Sequence, residues 1–307
     1  MRTFLFVSLM ALVLGCTTEE KETTTKGKLH VFIPESIAPV MIDEVNEFLQ
    51  LYQANGAQIT GTIVSADTAA YRFMNDQSRI VFLPRSLSQA EKEKVRLHYP
   101  DFNELIVAYD GIVVVVHPKN RIAKLSTTEL KNILSGSITR WEQLTKTMTG
   151  PMNIYLHDSS DVSGYLTQRL LPLSGITATL TRTVSDLQTL HSVEKDHRAI
   201  GFAALGWIDS AKSPVSIVNL GRTSEDTDTS FASPAETSGN FYSPHPANLF
   251  RNYYPLKRAI YMYTGGRIGL ATGFGTYVST NKGQRIFLKY GLLPGTQKIR
   301  LKSNEPE

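Results

Sequence analysis

Short runs of β-branched residues alternate with amphipathic stretches along most of this chain. Residues 29–33, 58–64 and 80–83 have the composition of strands, and residues 68–75 and 89–97 have that of helices. The segment after the first strand carries an apolar face at helical spacing, formed by Val40, Val45, Phe48, Leu49 and Tyr52. Because parallel strands need a helical crossover between them, this alternation predicts an α/β fold with mostly parallel sheets and right-handed crossovers.

A valine-rich run in the middle of the chain indicates two lobes. Residues 105–108 and 112–116 are apolar, and the break between them is Tyr109-Asp110-Gly111. An unbroken valine run is typical of a parallel strand buried on both faces, and we interpret the break as a crossing between lobes. A polar loop at 221–246 precedes a second crossing. The pattern predicts a first lobe of 29–109 plus 247–307 and a second lobe of 110–246.

The amino terminus predicts export. Arg2 precedes an apolar run at 4–14, which is shorter than the ~20 residues that span a bilayer. The run ends at Leu12-Val13-Leu14-Gly15-Cys16, which resembles a lipobox, and Cys16 is the only cysteine. We therefore expect a signal peptide at 1–15, an acyl anchor on Cys16 and a flexible polar tether at 16–28.

Charge and motif content exclude several classes of function. Removal of residues 1–15 takes away one cation, Arg2, and lowers the formal net charge from +4 to +3. This balance is too small to indicate a nucleic-acid partner, although it suits a small anion. The seven histidines show no metal-ligand spacing, and no nucleophile elbow or phosphate-binding P-loop is present. We expect no metal, no cofactor and no catalysis.

Five segments carry a family resemblance. They are DGIVVVVHP at 110–118, LSTTELKNILSG at 125–136 with Ile138 and Trp141, AIGF at 199–202, YPLKR at 254–258, and KGQRI at 282–286 with YGLLP at 290–294. Together they resemble, in the right order, the PstS-like phosphate-binding proteins of ABC importers. The resemblance implies a two-lobed periplasmic binding protein fold of type II with two hinge strands. It also implies a monomer that captures phosphate or a related oxyanion and delivers it to an ABC permease.

The first ligand loop implied by the resemblance follows the opening strand. Family members place a hydroxyl residue there, and Ser36 fits this role. The alternative is that Ser36 is only a helix N-cap.

The second loop, with the strand after it, departs from the family. It lacks the family's glycines but retains Ser65 and Thr68, with Asp67 as a candidate cap. Arg85 lies in a stretch where some relatives carry arginine, and a guanidinium there can grip two oxygens. A surface ion pair is the alternative for Arg85, and Pro84 removes one backbone donor.

The third loop departs from the family pattern Arg-x-x-x-Ser-Gly-Thr. With Asp161-Val162-Ser163 aligned to its end, His157 replaces the arginine, and a shift of one residue places Ser160 in the first serine position instead. A carboxylate that accepts the proton of phosphate would reject sulfate. Asp67, Asp158 and Asp161 remain the candidates for it. Because the loops depart from the family, a two-lobed lipoprotein with another small ligand, acting as a sensor or surface module, is the alternative function.

Overall fold

A computed structural model describes residues 21–237 and 239–297. The predicted signal peptide and Cys16 lie outside these residues. Within the predicted tether, Glu22 pairs with Arg79 and accepts a hydrogen bond from the amide of Leu270 at 2.9 Å, and the first strand begins at Gly27. The part of the tether from Glu22 onward is therefore anchored to the first lobe, which corrects the prediction that all of 16–28 is flexible.

The elements alternate along the chain as the sequence pattern predicts. The strands are β1 (Gly27–Pro34), β2 (Ala57–Val64), β3 (Ile80–Leu83), β4 (Asn103–Val116), β5 (Lys124–Ser126), β6 (Asn153–His157), β7 (Leu180–Thr183), β8 (Ala199–Ala204), β9 (Ser216–Ile217), β10 (Asn219–Gly221), β11 (Lys257–Thr264) and β12 (Leu293–Pro294). The helices are α1 (Ala38–Tyr52), α2 (Ala66–Met74), α3 (Gln89–His98), α4 (Thr127–Leu134), α5 (Asp161–Leu170), α6 (Asp186–Lys195), α7 (Trp207–Ala211), α8 (Pro234–Thr237), α9 (Pro246–Phe250), α10 (Leu270–Ser279) and α11 (Asn281–Lys289).

Strand β4 joins the two lobes. Its first part pairs with β11 up to Gly111, and its second part pairs with β8 from Ile112 onward. The resulting strand order β3-β11-β4-β8-β6-β7 runs through both lobes. The predicted crossing at Tyr109-Asp110-Gly111 therefore coincides with the change of partner strand.

The predicted strand direction is wrong for β4. Its pairings with β8, β9, β11 and β12 are all antiparallel, whereas β1 with β2, β5 with β10, and β6 with β7 and β8 are parallel. The predicted burial of Val113–Val116 on both faces of the strand is correct, because helices and other strands cover both sides. The eight-stranded sheet is therefore mixed, and continuous apolar character reports burial but not direction.

Each lobe has its own apolar core. The first packs Phe48, Phe274 and Phe287 between α1, α10 and α11, and the second packs Trp141 and Phe202 around β6 and β8. Each large buried side chain contributes about 1.5–3 kcal/mol of burial free energy. Leu249, Tyr254 and Leu256 also lie in the second core, which favours a second crossing at β11, later than the predicted boundary at 247.

Local sequence signals agree with the helix ends. Ser126 and Glu129 have the Ser-x-x-Glu spacing of a capping box, and that box is formed at the start of α4. Helix α6 begins after Ser185, whose hydroxyl accepts from the Gln188 amide. Among residues 21–237 and 239–297, no helix has the length and apolar character needed to cross a membrane.

Candidate functional site between the lobes

Arg258 is the centre of a buried hydrogen-bonded cluster. It lies near the start of β11 and is 4% exposed. Its Nε and Nη2 donate to Asp110 Oδ2 at 3.0 and 2.9 Å, and its Nη1 donates to Asp161 Oδ2 at 2.6 Å. Nη2 also donates to Ser36 Oγ at 2.9 Å. One guanidinium therefore joins both crossing strands to the turn after β1 and to the start of α5.

The hydrogen bonds of this cluster join charged groups that are buried away from water. Burial raises the pKa of Asp110, and the guanidinium of Arg258 offsets part of that rise. Burial alone would lower the pKa of Arg258, but Asp161 and Asp110 raise it above its usual value. Arg258 is therefore a permanent cation located between two lobes.

Ser36 is not a helix cap. Helix α1 has Ile37 at its N-cap position with no side-chain cap, and Ser36 lies in the 3₁₀ turn Glu35–Ile37. Its hydroxyl donates to Asp161 and accepts from Arg258. These contacts rule out the helix-cap role for Ser36 and place its hydroxyl between Asp161 and Arg258. Its role as a ligand residue stays a prediction.

An open cleft of about 230 Å³ lies beside this cluster. It is lined by residues of both lobes, namely Ser65, Ala66, Asp67, Pro84, Arg85, Ser159, Ser160, Asp161, Gly164, Tyr165 and Gln168. The structure therefore brings four predicted site residues to one hollow, and Asp161 connects that hollow to Ser36. Four other predicted site residues do not line it: Ser36, Thr68, His157 and Ser163.

Ser65 and Thr68 bond to each other. Ser65 is the N-cap of α2, accepts from the Thr68 amide at 3.1 Å, and donates to the Thr68 hydroxyl at 2.9 Å. The cap is therefore Ser65 rather than Asp67. Of Ser65 and Thr68, Ser65 is the one that lines the cleft.

Arg85 is committed to acidic neighbours of its own lobe. Its two terminal nitrogens bond to both oxygens of Glu91 at 2.9 and 2.8 Å, and Nη2 also bonds to Asp67 at 2.8 Å. The hydrogen bond from Arg85 lowers the pKa of Glu91 to about 2. Arg85 lines the cleft, but these contacts favour the ion-pair alternative over a bidentate contact with two oxygens of the ligand.

In the third loop it is the hydroxyl of Ser160, and not that of Ser163, that lies at the start of α5. Ser160 is the N-cap of α5, where its hydroxyl accepts from the Ser163 amide at 3.1 Å and donates to the carbonyl of His157 at 2.6 Å. Ser163 contributes its backbone amide, and not its hydroxyl, to this cap. The His157 ring faces Glu35 Oε2, with Nδ1 at 3.5 Å. Of the three candidate acceptor carboxylates, Asp161 is the one that contacts Ser36.

Sequence reasoning missed Arg258 and Asp110 as site residues. Both lie in segments predicted to be buried crossing strands, and opposite charges on two buried strands are a signal that they pair. In the sheet they are direct partners, since Arg258 lies opposite Asp110 in the register of β11 and β4. This pairing explains why an Asp interrupts the valine-rich strand.

The two-lobed α/β architecture with a polar site between the lobes is the periplasmic binding protein fold, and comparison with known proteins agrees. A family model described as a PBP superfamily domain matches residues 18–282. The chain belongs to this family. The sequence-based resemblance and fold class are thereby confirmed.

Curated relatives are similar over part of their length. Protein SphX of Synechococcus elongatus is 24% identical over 199 residues, which cover 62% of this chain and 55% of SphX. Phosphate-binding protein PstS 2 of Streptococcus agalactiae serotype V is 28% identical over 124 residues, which cover 40% of this chain and 39% of PstS 2. The chain thus spans about half or less of these relatives.

Solved structures share the fold over nearly the whole chain. A phosphate ABC transporter substrate-binding protein from Clostridium perfringens, solved with bound phosphate, has a TM-score of 0.69 at 18% identity, covering 87% of this chain and 99% of that one. An ABC-type phosphate transport receptor from Vibrio cholerae has a TM-score of 0.62 at 16% identity, covering 86% and 99%.

Proposed function

We propose that this protein is a solute-binding receptor that captures inorganic phosphate, or a closely similar oxyanion, between its lobes and delivers it to an ABC permease. The observation that carries the proposal is the convergence of Ser36, Asp161 and Arg258. A hydroxyl from one lobe, a helix start from the other and a buried cation from the hinge meet at one point. The names of the relatives and of the similar structures agree with phosphate as the ligand.

The anion binds where the cleft meets this cluster. The first turn of α5 has amides that no intrahelical carbonyl can reach, and the helix N-terminus carries about +0.5 charge. An oxyanion replaces Asp161 as the partner of the Ser36 hydroxyl and accepts from the amides of this turn. Arg258 keeps its hydrogen bonds to the carboxylates of Asp110 and Asp161 beneath the anion, and it supplies positive charge.

Asp161 then serves as the acceptor that selects phosphate. Phosphate near neutral pH carries a proton, which it donates to the Asp161 carboxylate. Sulfate has no such proton and meets that carboxylate as a second anion. In a desolvated site, like-charge juxtaposition costs several kcal/mol, so the site favours phosphate.

Export and anchoring complete the proposal. Acyl chains on Cys16 hold the receptor on a membrane facing the periplasm or cell exterior, where it works as a monomer without a cofactor. The chain from Thr17 is the soluble form to test. It keeps Glu22, which pairs with Arg79 in the first lobe.

Titration calorimetry tests the proposal. The soluble chain from Thr17 is titrated with phosphate, arsenate, sulfate and a phosphonate, alongside Ser36→Ala and the matched control Ser174→Ala, which changes an exposed serine. We expect micromolar or tighter phosphate binding. It is weakened by about 1 kcal/mol or more in Ser36→Ala and unchanged in the control. An absence of heat with every oxyanion would contradict the proposal.

A further inference from the structure

A second group of polar side chains from both lobes meets at Glu35, the residue before Ser36. It consists of Glu35, His157 and Asp186, which offer one nitrogen or oxygen atom each within 4.8 Å of one another. Glu35 comes from the turn after β1 in the first lobe. His157 ends β6 and Asp186 begins α6, both in the second lobe. Their separation in the sequence explains why no metal-ligand spacing is visible there.

Each of these side chains has a buried atom without a hydrogen-bond partner. These atoms are Glu35 Oε2, His157 Nδ1 and Asp186 Oδ1. Asp186 is 0% exposed. A buried polar atom without a partner is unfavourable, and three of them in one place point to a group that contacts all three.

The remaining atoms of the two carboxylates are fixed by backbone amides. Asp186 Oδ2 accepts from the Ala204 amide at 2.8 Å, and Glu35 Oε1 accepts from the Asp186 amide at 3.0 Å. The Glu35 carbonyl also accepts from Trp207 Nε1 at 3.0 Å. These bonds orient both carboxylates in the way that outer hydrogen bonds orient metal ligands.

Charge favours a cation over a further anion in this place. The carboxylates of Glu35, Asp186 and Asp161 act on one another, and Arg258 offsets only part of their charge. A cation in contact with all three groups would relieve the repulsion between Glu35 and Asp186 and would also give His157 Nδ1 a partner.

One distance within the group suits a transition metal. His157 Nδ1 lies 3.5 Å from Glu35 Oε2, which is too long for a good hydrogen bond. It is close to the ~3.4 Å between two ligands of a tetrahedral ion with bonds of about 2.1 Å. We propose that Glu35, His157 and Asp186 bind a divalent transition-metal ion, with Zn²⁺ or Mn²⁺ suited to one imidazole and two carboxylates. Because the ligands come from both lobes, the bound ion holds the lobes together.

Calorimetry on chelator-treated protein in phosphate-free buffer tests this site with Zn²⁺, Mn²⁺ and Co²⁺. Absorption of bound Co²⁺ reports nitrogen and oxygen ligands directly. We expect one equivalent of ion to bind the wild type. Asp186→Asn, Glu35→Gln and His157→Gln should each weaken binding by ~100-fold or more, since each removes one of three ligands.

Two controls match the chemistry of the ligands. Asp158→Asn changes the carboxylate next to His157, which pairs with the exposed Arg182, and His191→Gln changes an exposed histidine on α6. Both should bind the ion as the wild type does. Thermal unfolding without metal checks folding, and Asp186→Asn should melt at the same or a higher temperature because it removes a buried like-charge contact.

The outcomes separate clearly. Loss of binding in the three ligand variants, with both controls and the melting temperatures retained, supports the site. No binding of any of the three ions to the wild type, or equal binding by the ligand variants, overturns it and leaves a shared proton on Glu35 and Asp186. Because phosphate is absent from the titration, the result does not depend on the oxyanion proposal.

Discussion

Replacement of Arg258 by alanine tests the buried cluster at its centre. The change removes four hydrogen bonds, made to Asp110, Asp161 and Ser36, and leaves two buried carboxylates without their cation. Loss of one partner from a buried ion pair costs ~3–5 kcal/mol, because the remaining charge is desolvated and uncompensated. A protein of this kind has about 5–15 kcal/mol of stability, so we expect the variant to fold with a lower free energy of unfolding.

The loss should depend on pH in a defined direction. Burial already raises the pKa of Asp110, and without Arg258 that pKa rises further. An acid whose pKa is higher in the folded state destabilises the fold as pH increases through that pKa. The cost of Arg258→Ala is therefore largest near pH 8 and smaller near pH 5, where the stranded carboxylates take up protons.

Urea unfolding followed by tryptophan fluorescence at pH 5 and pH 8 measures both effects. The matched control is Arg182→Ala, because Arg182 pairs with Asp158 at 3.1 Å but is 77% exposed, and we expect a change of at most about 1 kcal/mol. Adding Asp110→Asn to Arg258→Ala should recover part of the lost stability. A loss below about 1 kcal/mol at pH 8, or an equal loss at both pH values, would refute the reasoning.

Three further substitutions test individual groups. Asp161→Asn should reduce the preference for phosphate over sulfate, measured by calorimetry, by at least about tenfold, or ~1.4 kcal/mol. An unchanged ratio of the two affinities would show that another group accepts the phosphate proton. Arg85→Ala should lower the free energy of unfolding by about 1 kcal/mol and change phosphate affinity by less than about threefold, since its terminal nitrogens bond to Glu91. A larger loss of phosphate affinity would show that Arg85 contacts the anion directly. Burial, and then Asp43 and Glu47, raises the pKa of Glu44 to about 9, so wild-type stability falls as pH rises from about 4.5 towards 9. Glu44→Gln should therefore be more stable than wild type by more than about 1 kcal/mol at pH 8 and equal to it near pH 4, and equal stability at both pH values would contradict the raised pKa.

The parts of the fold that depend on local sequence were predictable. Ser126 and Glu129 are three residues apart, and a capping box needs nothing beyond that spacing. The break at Gly111 was visible because it interrupts a long apolar run. The direction of β4 was not predictable, because it depends on which distant strands lie beside it, and apolar composition is the same in either direction.

The candidate site was predictable in its loops but not in its centre. Ser36, Ser160 and Asp161 follow strands whose ends meet at the cleft, so their positions follow from the alternating pattern. Arg258 lies within a strand and acts through Asp110, far away in the sequence, so a search of the loops passes over it. His157 was expected to replace a cation, whereas in the structure it faces Glu35 and Asp186.

A structure of the protein determined with millimolar phosphate tests the central claim most directly. We expect a tetrahedral anion in the space between the lobes, within hydrogen-bond distance of the Ser36 hydroxyl, the first amides of α5 and the Asp161 carboxylate, with Arg258 beneath it. A cleft without an anion at saturating phosphate, or an anion held elsewhere on the surface, would contradict the claim.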